Sequence, residues 1–141
     1  MSEFCYFHPI EVRYGDLDPQ GHLNNAKYLT YFETGRIEYL IHLGLFEHGD
    51  TFMNIGIIMA DAHVVFKSAV EYGMNVKVGV RVSQLGTKSM TSEYILIDAD
   101  TGKELATGSM VLVAYDYRAG KTLPISDEWR KIISEFEGLE N

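Results

Sequence analysis

Cysteine is nearly absent from this chain of 141 residues: Cys5 stands alone, so no disulfide within the chain can staple it, and stability has to come from an apolar core. Long hydrophobic runs are missing too. No stretch approaches the roughly 20 apolar residues needed to cross a bilayer, and the opening Met1-Ser2-Glu3-Phe4-Cys5 has neither the basic nor the apolar segment of a secretion signal. A cytoplasmic protein that does not enter membranes is therefore expected. Positive charge is scarce, with 12 Lys and Arg against 20 Asp and Glu, a formal charge of −8. That balance opposes nucleic acid as a partner, because such binding rests on neutralising phosphates with basic side chains. A smaller phosphate-bearing ligand would need a local group of the few cations available. Neither a metal-ligand spacing nor a phosphate-cradling glycine pattern occurs, so no metal is expected.

What is present suffices for one domain over residues 1–141, since 46% of the chain is hydrophobic and its length suits a single core. Residues Phe4 to Arg13 alternate in the manner of a strand, with Pro9 pointing to an edge or a bulge. From about Asn24 the period becomes helical: Tyr28, Leu29, Phe32, Gly35, Tyr39, Leu40 and Leu43 recur at three- and four-residue steps, Asn24 is placed to cap the start, and Gly44 supplies the stop. Four further strands follow, at Ile55 to Lys67, Asn75 to Gln84, Met90 to Asp98 and Leu105 to Tyr117, with turn-forming residues between them. Ser126 is placed to cap a short last helix. Strand, long helix, then four strands joined by hairpins gives an α+β fold, a five-stranded antiparallel sheet laid against one long helix. One helix covers one face only, so the other face and an edge remain for a second copy, and a dimer is expected. Tyr28, Phe32, Tyr39 and Leu40 are read as core at this spacing, and His63, in an apolar strand run, as an interior histidine.

Chemistry concentrates between Asp16 and Arg36. The loop Tyr14 to His22 is rich in Gly, Pro and Asp and feeds straight into the long helix, bringing Asp16, Asp18, Gln20, His22, Asn24, Asn25, Glu33 and Arg36 into one short segment. The first N–H groups of a helix have no intrahelical partner and carry the positive end of its dipole, so they suit a polarised carbonyl or an oxyanion. With Asn24 as the cap, the N–H of Asn25 is such a donor. A carboxylate just before it, Asp18, can attack the carbonyl carbon or deprotonate a water that does. Asp16 is read as structural, holding the loop. Arg36 is the natural partner of Glu33, three residues before it.

The segment Tyr14-Gly15-Asp16-Leu17-Asp18-Pro19-Gln20-Gly21-His22-Leu23-Asn24-Asn25-Ala26-Lys27-Tyr28 resembles the signature of hotdog-fold acyl-thioester hydrolases of the 4-hydroxybenzoyl-CoA thioesterase type, and also the catalytic stretch of plant acyl-ACP thioesterases. The likeness implies a hotdog fold, a sheet wrapped round the long helix, with active sites between the two subunits of a homodimer that can pair further into a tetramer. It implies hydrolysis of an acyl-CoA or acyl carrier protein thioester to free acid and thiol, with no cofactor, coenzyme A being part of the substrate. In the resemblance Asp18 is the catalytic group and the Asn25 amide polarises the carbonyl, with His22 and Gln20 auxiliary. Lys88, beside Ser89, falls where related enzymes meet coenzyme A phosphates, and Arg81 is a further choice. Tyr28 and Glu33 complete the expected substrate contacts. A non-catalytic acyl-CoA sensor and a hotdog-type enoyl-CoA hydratase are the competing functions.

Overall fold

The computed structural model describes residues 4–140; Met1 to Glu3, on which part of the reading of the N-terminus rests, lie outside the described residues. Strand β1 (Tyr6–Glu11) leads through a 3-10 turn at Tyr14–Asp16 into helix α1 (Asn25–His42). Strands β2 (Ile57–Phe66), β3 (Asn75–Leu85), β4 (Ser89–Asp98) and β5 (Glu104–Asp116) follow, then a two-residue strand β6 (Lys121–Thr122) and helix α2 (Asp127–Glu137). All pairings are antiparallel, in the order β1-β3-β4-β5-β2, and β6 is an addition to the five expected strands that pairs with the end of β5. The curled sheet with its long helix is the hotdog arrangement.

The pattern of side chains explains why the sheet holds α1. In β3 the residues Val76, Val78, Val80 and Val82 are all buried while Lys77 and Arg81 lie on the other face, the period-two alternation of a sheet with one covered side. Against them α1 presents Tyr28, Phe32, Gly35, Tyr39 and Leu40, all buried. Gly35 is where the helix comes closest. A Cβ there would stand 2.7 Å from Val78 Cγ1 and 3.0 Å from Val80 Cγ2, so only the missing side chain allows this approach. The Asn24 side chain accepts from the Ala26 N–H at 2.9 Å, which caps the helix as its sequence suggests, and Gly44, at φ 78°, lets the chain turn out of it. At α2 the Ser126 hydroxyl accepts from the Trp129 N–H at 3.2 Å in the same way.

Pro9 sits in β1, an edge strand that pairs with β3 alone, the position in a sheet where a residue without an N–H is tolerated. The opposite edge is β2, paired only with β5 and exposed over most of its length. His63 lies there and is exposed, a correction to its reading as an interior histidine. The apolar run around it is the signature of a strand with little cover on either face, and a string of apolar residues does not say whether the cover comes from this chain or another.

Candidate active site

The loop between β1 and α1 is fixed from its buried side. Asp16 is 2% exposed, and its carboxylate accepts from the Tyr31 hydroxyl at 2.8 Å, from the Arg13 backbone N–H at 3.1 Å and from the Arg13 guanidinium at 3.3 Å. Burial alone would raise the pKa of this carboxyl, but the hydrogen bonds from Tyr31 and Arg13 outweigh it and hold the pKa below the usual carboxylate value. The Tyr31 phenol is pushed the other way, by burial first and then by Asp16. The backbone carbonyl of Asp16 also accepts from the Asn24 N–H at 2.9 Å, which ties the start of the loop to the head of α1.

Asp18 lies two residues along, on the solvent side of this anchor. Its backbone N–H donates to the His22 carbonyl at 2.8 Å, and one carboxylate oxygen, Oδ1, accepts from the N–H groups of Gln20 (3.0 Å) and His22 (3.1 Å). Thus Gln20 and His22 contribute through their backbones, fixing the orientation of the carboxylate. Their side chains are exposed, and that of His22 faces Glu71 at 3.9 Å. The second oxygen, Oδ2, has no protein partner among the described residues. At the head of α1 the Asn24 side chain caps Ala26, so the N–H of Asn25, the first helical residue, is left without an acceptor among the described residues. A fixed carboxylate with an open oxygen and an open helix amide therefore occupy the two ends of one short loop, the pair that addition to a carbonyl needs.

Tyr28 is buried one turn into the helix, its ring edge-on to Phe66 with centroids 4.8 Å apart; burial and then the charge of Asp18 raise its pKa. Glu33, half-buried, reaches Arg36 at 3.7 Å.

The residues expected to meet coenzyme A are not beside Asp18 within one protomer. Glu11 pairs with Asn75 at the start of β3, so the Asp18 loop leaves from that end of the sheet, whereas Lys88 lies in the turn after β3 at the other end. The strand between them has 11 residues, about 35 Å. Lys88 Nζ contacts the Thr122 hydroxyl at 3.3 Å, and Ser89 opens β4 opposite Val113. Arg81 lies on the face away from α1 and is bound to Glu93 across the strands, at 2.6 and 3.0 Å. Among the described residues no group of three or more His, Cys, Asp or Glu could hold a metal ion, and no helix is long and apolar enough to cross a membrane.

Sequence reasoning named Arg36 only as a partner for Glu33, and its larger role was missed. Its Nη1 donates to the Tyr94 hydroxyl at 3.1 Å and lies 3.2 Å from Met110 Sδ, and Tyr94 is in turn 2.7 Å from the Ser92 hydroxyl. The signal was available: Arg36 falls four residues after Phe32 and four before Leu40, on the apolar stripe of the helix, where a cation needs a reason to be.

Residues 12–133 match the model of the thioesterase-like superfamily. The chain belongs to that superfamily. It is accordingly a thioester hydrolase. Among solved structures it is similar to a thioesterase complexed with coenzyme A and Zn from Thermus thermophilus, with a TM-score of 0.85 and 31% identity over 99% of this chain and 100% of that one. It is also similar to a DHNA-CoA thioesterase from Staphylococcus aureus, with a TM-score of 0.81 and 26% identity over 94% of this chain and 90% of the other. The long-chain acyl-CoA thioesterase FadM of Escherichia coli (strain K12) is 24% identical over 131 residues, 89% of this chain and 95% of FadM.

Proposed function

We propose that this protein hydrolyses an acyl-CoA thioester in the cytoplasm, with Asp18 as nucleophile or general base and the Asn25 N–H as the donor to the carbonyl oxygen. The observation that carries this is the open Oδ2 of a carboxylate already locked by two backbone amides, on the loop that ends at an unused helix N–H. In the nucleophilic route Oδ2 bonds to the carbonyl carbon, the C–S bond breaks and the coenzyme A thiolate leaves and takes a proton. Water then opens the mixed anhydride to the free acid and restores Asp18. In the general-base route Oδ2 takes a proton from the water that attacks. Both place negative charge on the same carbonyl oxygen, where one preorganised donor is worth about 3 kcal/mol. No cofactor enters either route, coenzyme A being part of the substrate.

The distance from Asp18 to Lys88 supports a homodimer as the working unit. Edge strand β2 is exposed and can pair antiparallel with its own copy about a two-fold axis normal to the sheet. Such an axis reverses the second sheet, so the Lys88 end of one copy comes to the Asp18 end of the other. The coenzyme A phosphates would then meet Lys88 and Ser89 of one subunit while the thioester meets Asp18 of its neighbour. Arg81, committed to Glu93, is the weaker of the basic choices.

Thiol release from a panel of acyl-CoAs tests the reading. Asp18→Asn keeps an oxygen for the Gln20 and His22 amides, so it should leave the fold intact while lowering kcat by about a hundredfold to ten-thousandfold. A single turnover in ¹⁸O-water probes the route: unlabelled acid with ¹⁸O in the Asp18 carboxylate marks the nucleophilic route with water opening the anhydride at the Asp18 carbon, because a general base keeps its own oxygens and gives labelled acid. Tight binding of acyl-CoA with no turnover by the wild type would favour a sensor, and addition of water to an enoyl-CoA would favour a hydratase.

A further inference from the structure

A cavity of about 640 Å³ opens between α1 and the start of β2, with Ile55, Ile58, Met59 and Tyr117 among its walls and the Glu33–Arg36 pair on its helix side. Its surface is mostly apolar, yet it contains a cation. The Arg36 side chain is 11% exposed, and only part of its donor set is used: Nη1 on Tyr94 and Met110, Nη2 on Glu33 at a loose 3.7 Å. Its Nε is buried and has no hydrogen-bond partner among the described residues. A buried guanidinium with donors unmet is costly, and while Nε is sealed within the protein, the Nη2 end beside Glu33, held only at 3.7 Å, keeps hydrogens for a further acceptor on the cavity side.

Resting on the hydrolase reading above, we infer that this cavity receives the far end of the acyl group and that Arg36 selects acyl chains carrying an uncharged oxygen acceptor there, a hydroxyl or a carbonyl. Charge decides against a carboxylate. Glu33 already supplies one negative charge to Arg36, and a second in this apolar pocket would lack a counterion, whereas a neutral oxygen gains a charge-assisted hydrogen bond without altering the balance. Position decides that the oxygen is distal. Glu33 and Arg36 lie eight and eleven residues beyond Asn25 on the same helix, about 12 and 16 Å of rise from the amide that holds the thioester.

The test pairs each plain acyl-CoA, from butyryl to palmitoyl, with its ω-hydroxy and ω-carboxy counterparts, and measures kcat/KM by thiol release together with equilibrium binding of the non-hydrolysable thioether analogues. The ω-hydroxy member should be preferred roughly tenfold to a hundredfold at the chain length that reaches Arg36, the range for one hydrogen bond to a charged group. Arg36→Gln should bring that ratio towards one. Glu33→Gln, at a half-buried position, should instead raise acceptance of the ω-carboxy chain, which a merely structural salt bridge would not do. Equal binding of the paired thioethers at every length overturns the inference, whether or not thiol is released. A binding preference without any thiol release would count against hydrolysis of these thioesters and leave the pocket assignment standing. Where Arg36→Gln fails to fold, the wild-type ratio and the Glu33→Gln shift decide.

Discussion

Replacing Asp16 by Ala tests whether the loop is held from its buried side. The substitution removes the acceptor of the Tyr31 hydroxyl and of the Arg13 backbone N–H. Tyr31 is itself buried, so its hydroxyl would lose its only hydrogen-bond partner among the described residues without gaining full access to water, a cost of about 1–3 kcal/mol. The backbone bond adds about 1 kcal/mol. The Arg13 guanidinium is 68% exposed and adds little, and relief of carboxylate desolvation returns part of the total. The expected loss is about 3 kcal/mol, some 10 °C in melting temperature for a domain of this size. Urea unfolding followed by the fluorescence of Trp129, the one tryptophan, gives the number directly. A double-mutant cycle with Tyr31→Phe isolates the bond between the two side chains, for which about 1.5–3 kcal/mol of coupling is expected. The pH dependence has a definite sign. Because the folded-state pKa of Asp16 is lowered, its contribution is complete above the unfolded carboxylate value of about 3.9 and is lost as pH falls through the lower folded value. An Asp16→Ala loss under about 1 kcal/mol, or a coupling near zero, would refute the anchoring role assigned to this residue.

Gly35→Ala should destabilise by about 1–3 kcal/mol even though alanine is the better helix former, because its Cβ would press on Val78 and Val80; calorimetric melting checks the sign, and a gain in stability would show that the two valines can move aside. Tyr39→Phe removes the hydroxyl that donates to Glu137 at 2.5 Å and leaves that carboxylate with the Val82 N–H. The C-terminal helix should then exchange its amide hydrogens faster, with a stability loss of about 1–3 kcal/mol, and unchanged protection of residues 127–137 would count against this bond as the clamp of α2.

Much of the fold could be read from the string because its signals are local. Valine at every second position from 76 to 82 describes a strand covered on one side, and the three- and four-residue steps from Tyr28 to Leu40 describe a helix facing it. The Asn24 cap and the Gly44 stop are decided by chemistry within a few residues, and they stand where expected. What the sequence could not convey is three-dimensional neighbourhood. His63 reads as interior because its neighbours are apolar, but β2 is an edge, and which strands end up at edges is a property of the whole sheet. Lys88 and Asp18 look like parts of one site, yet they lie at opposite ends of the sheet because β1 runs against β3. Arg36 looks like a surface partner for Glu33 until Tyr94 and Met110, 58 and 74 residues away, are seen to surround it.

If Asp18 acts on the thioester as proposed, its loop shows how a site can reconcile accessibility with precision. A carboxylate that must meet substrate has to be reachable, and a reachable side chain on an ordinary loop is mobile. Here the two demands are divided between residues two positions apart. Asp16 points inward and is fixed by Tyr31 and Arg13, while Asp18 points outward and is steered by the amides of Gln20 and His22. The loop is closed further by the pairing of Leu17 with Leu23 and by the Leu23 N–H on the Val70 carbonyl at 2.8 Å, which joins it to the chain just ahead of β3. With the backbone held at both ends, the positions of the Asp18 carboxylate and the Asn25 N–H are fixed relative to each other, and on the proposed mechanism such preorganisation is what would let a single donor contribute fully in the transition state. On the proposed Asp18 mechanism, the Asp16→Ala protein should therefore lose kcat even under conditions where it is fully folded, because Asp16 acts through the loop that it anchors.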